Sequence, residues 1–280
     1  MNRIDPVEQE NVCPARGADY AEMSRYDQTA IEQRSSLVLR ARARPLPIRT
    51  LEPFVTPPPD AHAPSRRLLI TAGPTHEPID AVRFIGNRSS GRLGVSLAES
   101  AVRQSWHVRL LLGPTCVNAE DSRVEVVRFR TCADLEAALA THAPWCDVLV
   151  MAAAVADYRP ATTPEMLAGK RRRTGDKMVL ELEPTPDLLA GVSRNRRPDQ
   201  TFVGFALEPR AEMLDSARSK LARKSLDMIV ANPLETMDAP TIEATVLTSD
   251  GTSRSTDGSL PKSDFGPWLL SIIEAHRHGR

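Results

Sequence analysis

From residue 66 onward, short apolar runs alternate with stretches whose apolar residues recur at helical spacing, and this alternation constrains the fold most. Leu68, Leu69, Ile70 and Thr71 read as a strand that ends in Ala72-Gly73. Ser89-Ser90-Gly91 then opens a helix carrying Leu93, Leu97, Ala101 and Val102 on one face. Strands follow at 108–112 and 124–129, and Thr131 or Asp134 caps a helix through Leu135 and Leu139. Further strands fall at 148–151, 202–205 and 228–231, with a helix over 211–224. Residues 244–247 and the turn Asp250-Gly251 read as a hairpin-like excursion before a last helix at 268–276. Such alternation gives an α/β fold with a mostly parallel sheet covered on both faces. Right-handed crossovers make it doubly wound, a Rossmann-like three-layer arrangement. Ligands of such sheets collect beyond the carboxyl ends of the strands.

Residues 1–65 read differently. Nine of the 23 prolines lie there, seven of them from Pro45 to Pro64, including Pro57-Pro58-Pro59. Proline removes amide donors and disfavours helix in the residue before it, so this segment is expected to be a disordered N-terminal extension. A helix over 20–34 is only weakly patterned. The chain is therefore divided into an extension, 1–65, and one domain, 66–280. Basic and acidic residues balance at 36 each, which argues against bulk nucleic-acid binding or a polybasic membrane surface. No apolar run approaches the roughly 20 residues that span a bilayer. The first residues lack the apolar core of a secretory signal, and a cytoplasmic location is expected. Cys13, Cys116, Cys132 and Cys146 form no C-x-x-C pair, so zinc and a disulfide framework are poorly supported.

Residues 70–94, ITAGPTHEPIDAVRFIGNRSSGRLG, run from a strand into one small-residue turn and then through a second into a helix. Unpaired amides and the helix dipole favour an anion at such a helix start. Neither turn is the dinucleotide fingerprint G-x-G-x-x-G or the P-loop, so an NAD-type oxidoreductase lacks its main signature. Other segments also sit just after strands: AAAVADYRP, GFALE and Asn232-Pro233. A basic run, GKRRR, and the pair Lys220 and Lys224 on one helix face complete a set suited to phosphates. Singly, each has an ordinary explanation. The lysines and GKRRR suit solvated surfaces, Asp157 and Asn87 suit turns, Gly91 and Gly94 suit close packing, and Arg83 can pair with Asp80 at the surface.

In order, TAGPTHEPIDAVRFIGNRSSGRLG, AAAVADYRP, GKRRR, PTPDLLAGV, GFALE and ARSKLARKSLDMIVAN resemble the phosphopantothenate–cysteine ligase family. This family is the synthetase half of the bifunctional coenzyme A biosynthesis protein. The likeness is close over residues 66–232 and looser beyond. The flavin-dependent decarboxylase that usually precedes this half has no counterpart in residues 1–65, so a stand-alone synthetase is expected.

The resemblance implies an amide-forming ligase that joins 4′-phosphopantothenate to L-cysteine. CTP and magnesium are its implied co-substrate and ion, and the intermediate is an acyl-cytidylate. It also implies a homodimer, and a separate phosphopantothenoylcysteine decarboxylase acting next. Asn87 matches the asparagine that contacts the acyl group, and Lys170 the flexible-loop lysine that reaches the phosphates. Arg83 matches an arginine that supports the acyl-substrate site across the dimer. Ser89, Ser90 and Gly91 match the turn holding that substrate's phosphate, and Ala153, Ala154 and Val155 the lining of the reacting centre. Asp157, Thr185, Pro186, Asp187, Phe205, Lys220 and Lys224 match the nucleotide side. No residue is implied as a metal ligand. Gly86 departs from the usual serine, and the longer loop over 162–169 leaves Arg171 as a fallback to Lys170. The alternative is a non-catalytic or differently specific nucleotide-binding protein on the same fold.

Overall fold

The computed structural model describes residues 66–279. The extension expected over 1–65, the helix expected at 20–34 and Cys13 lie outside the described residues. The strands are β1 (Arg67–Ala72), β2 (His76–Pro78), β3 (Phe84–Gly86), β4 (His107–Leu112), β5 (Val124–Arg128), β6 (Val148–Met151), β7 (Tyr158–Pro160), β8 (Leu182–Pro184), β9 (Thr201–Glu208), β10 (Met228–Pro233), β11 (Thr241–Ile242), β12 (Thr245–Thr248), β13 (Ser253–Ser255) and β14 (Leu260–Pro261). The helices are α1 (Arg92–Arg103), α2 (Cys132–His142), α3 (Pro164–Leu167), α4 (Leu188–Arg194), α5 (Met213–Arg223) and α6 (Lys262–His278).

Eight strands form one sheet in the order β13-β12-β10-β9-β6-β1-β4-β5. The six from β10 to β5 run parallel, and β12 and β13 add the antiparallel hairpin expected near Asp250-Gly251. From β1 the chain moves outward to β4 and β5, then returns to place β6 on the other side of β1. The carboxyl end of β1 is thus a topological switch point, where doubly wound sheets open a crevice.

The apolar run of β1 serves both faces, as a central parallel strand must. Leu68 and Ile70 pack with Leu97 of α1 and with Phe265 and Leu269 of α6. Leu69 packs on the opposite face with Leu135 and Leu139 of α2 and Leu188 of α4. Burying each such leucine stabilises the fold by about 1.5–3 kcal/mol. Thr131 and Asp134 both cap α2: the Thr131 hydroxyl accepts from Asp134 N, and the Asp134 carboxylate accepts from Thr131 N. No helix among the described residues is long and apolar enough to cross a membrane.

Three features differ from expectation. The last helix begins at Lys262, ahead of the expected 268, and passes through Gly266 and Pro267, both residue types disfavoured inside a helix. Packing overrides them, because a Cβ at Gly266 would lie 2.7 Å from the Ser100 hydroxyl of α1. The loop expected before Lys170 contains α3, whose Thr163 hydroxyl accepts from Met166 N behind a Pro164 start. Finally, the two-stranded pairs β2–β3, β7–β8 and β11–β14 gave no periodic signal. They are too short, and all three contain proline.

The tightest contact between α1 and the sheet lies at Gly94, where a Cβ would sit 2.4 Å from that of Ala72. In Gly94→Ala the better helix propensity of alanine opposes this clash. The clash should win, costing about 1–3 kcal/mol of stability in urea unfolding; a stabilised variant would show that α1 shifts freely on β1.

Candidate functional site

Two buried threonines build the floor at the switch point. Thr71 Oγ1 accepts from Ala153 N at 3.1 Å, and Thr75 Oγ1 accepts from Ala156 N at 3.0 Å. Backbone bonds Ala154 N to Gly73 O, 2.9 Å, and Thr75 N to Ala154 O, 3.2 Å, complete the seam between the segments following β1 and β6. Across this floor Asn87 Nδ2 donates to Val155 O at 2.8 Å. The other side is closed by Thr185, whose N donates to Asp157 O and whose hydroxyl donates to Ala156 O.

A cavity of about 680 Å³ opens above the seam, lined by Asn87, Ala153, Ala154, Val155, Asp157, Thr185, Pro186, Asp187, Phe205, Lys220 and Lys224. Ser89, Ser90 and Gly91 line a second cavity of about 220 Å³, with Ala153, Ala154 and Phe205 common to both walls. The two are halves of one cleft. Gly91 caps α1 at a φ of 72°, in the left-handed region, and neither serine side chain caps the helix. A groove of about 720 Å³ between α2 and α4 shares only Pro186, Asp187 and Leu188 with this cleft.

Arg83 and Lys170 line neither cavity. Arg83 does pair with Asp80, Nη1 to Oδ2 at 3.2 Å, but Asp80 is buried rather than at the surface. The amide of Val82, with those of Arg83 and Arg171, holds the Asp80 carboxyl below its usual range. The turn after β2 also grips the chain on both sides of Lys170. Ala81 N donates to Gly169 O, Arg171 N to Asp80 Oδ2, and Arg83 Nη2 to Arg171 O. Lys170 itself is exposed.

The helix lysines are anchored by acids. Lys220 pairs with Glu208, which also accepts from the Ser216 hydroxyl. Lys224 Nζ lies 2.9 Å from Asp187 Oδ1, and the same carboxylate caps α4 through Ala190 N. The Lys220 ammonium draws the Glu208 carboxyl below its usual range. Asn232, from the segment noted after the last parallel strand, also lines the cleft and donates to the Thr236 hydroxyl, and three contributors were not singled out in the sequence: Arg88, paired with Asp238; Arg223; and Lys262. Arg88 stands inside the quoted GNRSSG motif, whereas Lys262 had no local signal. No group of three His, Cys, Asp or Glu able to hold a metal occurs among the described residues. Cys116, Cys132 and Cys146 line neither half of the cleft, and burial pushes the Cys146 thiol up to about 12.

The family described as DNA/pantothenate metabolism flavoprotein C-terminal domain matches residues 64–275. The chain belongs to this family. A crystal structure of the C-terminal domain of the coenzyme A biosynthesis bifunctional protein CoaBC superposes with a TM-score of 0.65 at 33% identity. It covers 77% of this chain and 97% of that domain. The bifunctional protein CoaBC of Mycobacterium tuberculosis is 41% identical over 198 residues, 67% of this chain and 47% of the relative. A protein named cysteine/cysteine sulfinic acid decarboxylase, from an unknown prokaryotic organism, is 44% identical over 170 residues, 61% of this chain and 46% of its own. This member of the DNA/pantothenate metabolism flavoprotein family thus spans about half the length of the curated relatives it matches.

The Lys220–Glu208 pair gives a pH test. A carboxyl depressed in the folded state adds stability above its unfolded value, near 4.5, and loses it as pH falls through the folded value. Glu208→Gln should therefore cost about 1 kcal/mol at pH 7, with the difference from wild type shrinking below pH 4.5 in urea titrations. A difference that stayed constant to low pH would mean that packing, not the ion pair, is what was lost.

Proposed function

We propose that this domain joins 4′-phosphopantothenate to L-cysteine at the expense of CTP. The observation that carries this reading is the single cleft at the switch point. One half presents a helix-start turn and the other gathers Asn87, Asp157, Phe205, Lys220 and Lys224. Two adjoining anion-binding halves sharing one floor suit a reaction between two phosphorylated molecules.

A carboxylate is a poor acyl donor, so the reaction divides into two easier steps. A carboxylate oxygen of phosphopantothenate attacks the α-phosphorus of CTP, and pyrophosphate leaves with the electron pair of the broken P–O bond. The cysteine amine then attacks the acyl carbon, the amide C–N bond forms and CMP departs carrying the former carboxylate oxygen. Asn87, fixed on Val155 O by one amide hydrogen, keeps its other N–H to donate to the acyl oxygen. Lys220 and Lys224, held by Glu208 and Asp187, meet the triphosphate. Ser89, Ser90 and Gly91 receive the phosphate of the acyl substrate.

Magnesium supplies charge neutralisation to adjacent phosphates. With no all-protein cage among the described residues, it fits this cleft only as an ion carried by the triphosphate. The Asp157 carboxylate, exposed at the cavity wall and without a hydrogen-bond or ion-pair partner among the described residues, would be the side chain to receive it. Lys170, exposed on its loop outside both cavities, is assigned to the nucleotide side by the resemblance. A homodimer belongs to the same reading. Arg83 projects from the β2–β3 hairpin between exposed Val82 and Phe84, and exposed Tyr158 and Leu182 stand on the neighbouring β7–β8 hairpin. A cytoplasmic site of action and a decarboxylase acting next on the product belong to the same proposal.

Incubation with 4′-phosphopantothenate, L-cysteine, CTP and magnesium should release CMP and pyrophosphate. Asn87→Ala should slow turnover about 100-fold. Absence of pyrophosphate release with CTP, ATP, GTP and UTP alike would overturn the assignment.

A further inference from the structure

Lys262 lies far along the chain from Ser89, Ser90 and Gly91, yet it lines the smaller cavity together with them. Three bonds fix its place. Its amide donates to Pro240 O, its carbonyl accepts from the Ser96 hydroxyl of α1, and its ammonium donates to Thr236 O at 2.9 Å. The position is electrostatically poor for a cation. Lys262 is the first residue of α6, where the helix dipole is positive, and burial pushes its ammonium below the usual range.

The nearby carboxylate of Asp238 offsets this only in part. Asp238 is the acid lining this cavity, and it is paired with Arg88. Arg88, Arg92 and Lys262 therefore face one carboxylate, which leaves an excess of two positive charges around a small cavity. A phosphate monoester, close to a dianion at neutral pH, matches that excess in charge. The ammonium also keeps two N–H donors beyond the one directed at Thr236 O.

We infer that Lys262 is a substrate-binding residue whose ammonium, delivered from the first turn of α6, holds the phosphate of the acyl substrate in the smaller half of the cleft. This rests on the ligase reading above and adds the residue that separates the phosphorylated substrate from its dephosphorylated form. It also makes the α1–α6 contact functional, since that packing carries the ammonium to the turn that starts α1.

The test is direct binding of 4′-phosphopantothenate, pantothenate and CTP to wild type, Lys262→Met and Lys262→Arg by calorimetry. Lys262→Met should bind 4′-phosphopantothenate at least about tenfold more weakly, as expected for a lost charge-assisted hydrogen bond. Its pantothenate and CTP affinities should stay within about twofold of wild type, and Lys262→Arg should recover most of the loss. Equal 4′-phosphopantothenate affinity in wild type and Lys262→Met overturns the inference. So does a parallel loss of both pantoic ligands, or an equal loss in Lys262→Arg, because either would mark a structural role at Thr236. A wild-type protein that binds neither pantoic ligand would instead bring down the ligase reading and this inference with it.

Discussion

The cleft depends on a hydrogen-bonded seam between two chain segments that leave neighbouring parallel strands. Thr71 and Thr75 are buried, and their hydroxyls accept the amides of Ala153 and Ala156. Those amides would otherwise face the interior without partners, at a cost of about 1–3 kcal/mol each. By satisfying them, the threonines let an irregular backbone lie deep in the molecule and form a floor. Asn87 and Thr185 then bond to carbonyls of that floor from opposite sides. Of the expected nucleotide-side residues, Asp157 and Thr185 take their positions from this seam, and Pro186 and Asp187 follow Thr185 directly.

The two halves of the cleft are held by different means. In the larger half, Lys220 and Lys224 are fixed by Glu208 and Asp187, so two cations are held in place at the cavity wall by carboxylate counterions. On the other side, α1 approaches β1 so closely that only glycine fits at Gly94, and α6 packs on α1 with glycine again at the contact. Helix packing there sets how far apart the Gly91 turn and Lys262 stand. Arg83 and Lys170 belong to neither half. They are joined instead through Asp80 and the backbone around Arg171, an arrangement that ties the basic loop to the β2–β3 hairpin.

Much of this was legible in the sequence because the signals were local. The apolar runs gave the parallel strands, and the small-residue segments after β1 and β6 marked residues that line the two halves of the cleft. The pair Lys220 and Lys224 was readable from its helical spacing. Three things were hidden because they depend on contacts between distant segments. The early start of α6 conflicted with Gly266 and Pro267 until Ser100 supplied the reason for the glycine. Lys262 could not be tied to residues 89–91 without the α1–α6 packing. The burial of Asp80 was invisible because its partners come from its own turn and from Arg171.

In the proposed reaction, a carboxylate of one substrate is brought onto the α-phosphorus of the other. Supplying 4′-phosphopantothenate labelled with oxygen-18 in its carboxylate, together with CTP, magnesium and L-cysteine, tests this by mass spectrometry of the products. The proposed ligase should leave one labelled oxygen in the phosphate of each CMP released and none in pyrophosphate. Unlabelled CMP, or label released in inorganic phosphate, would contradict it.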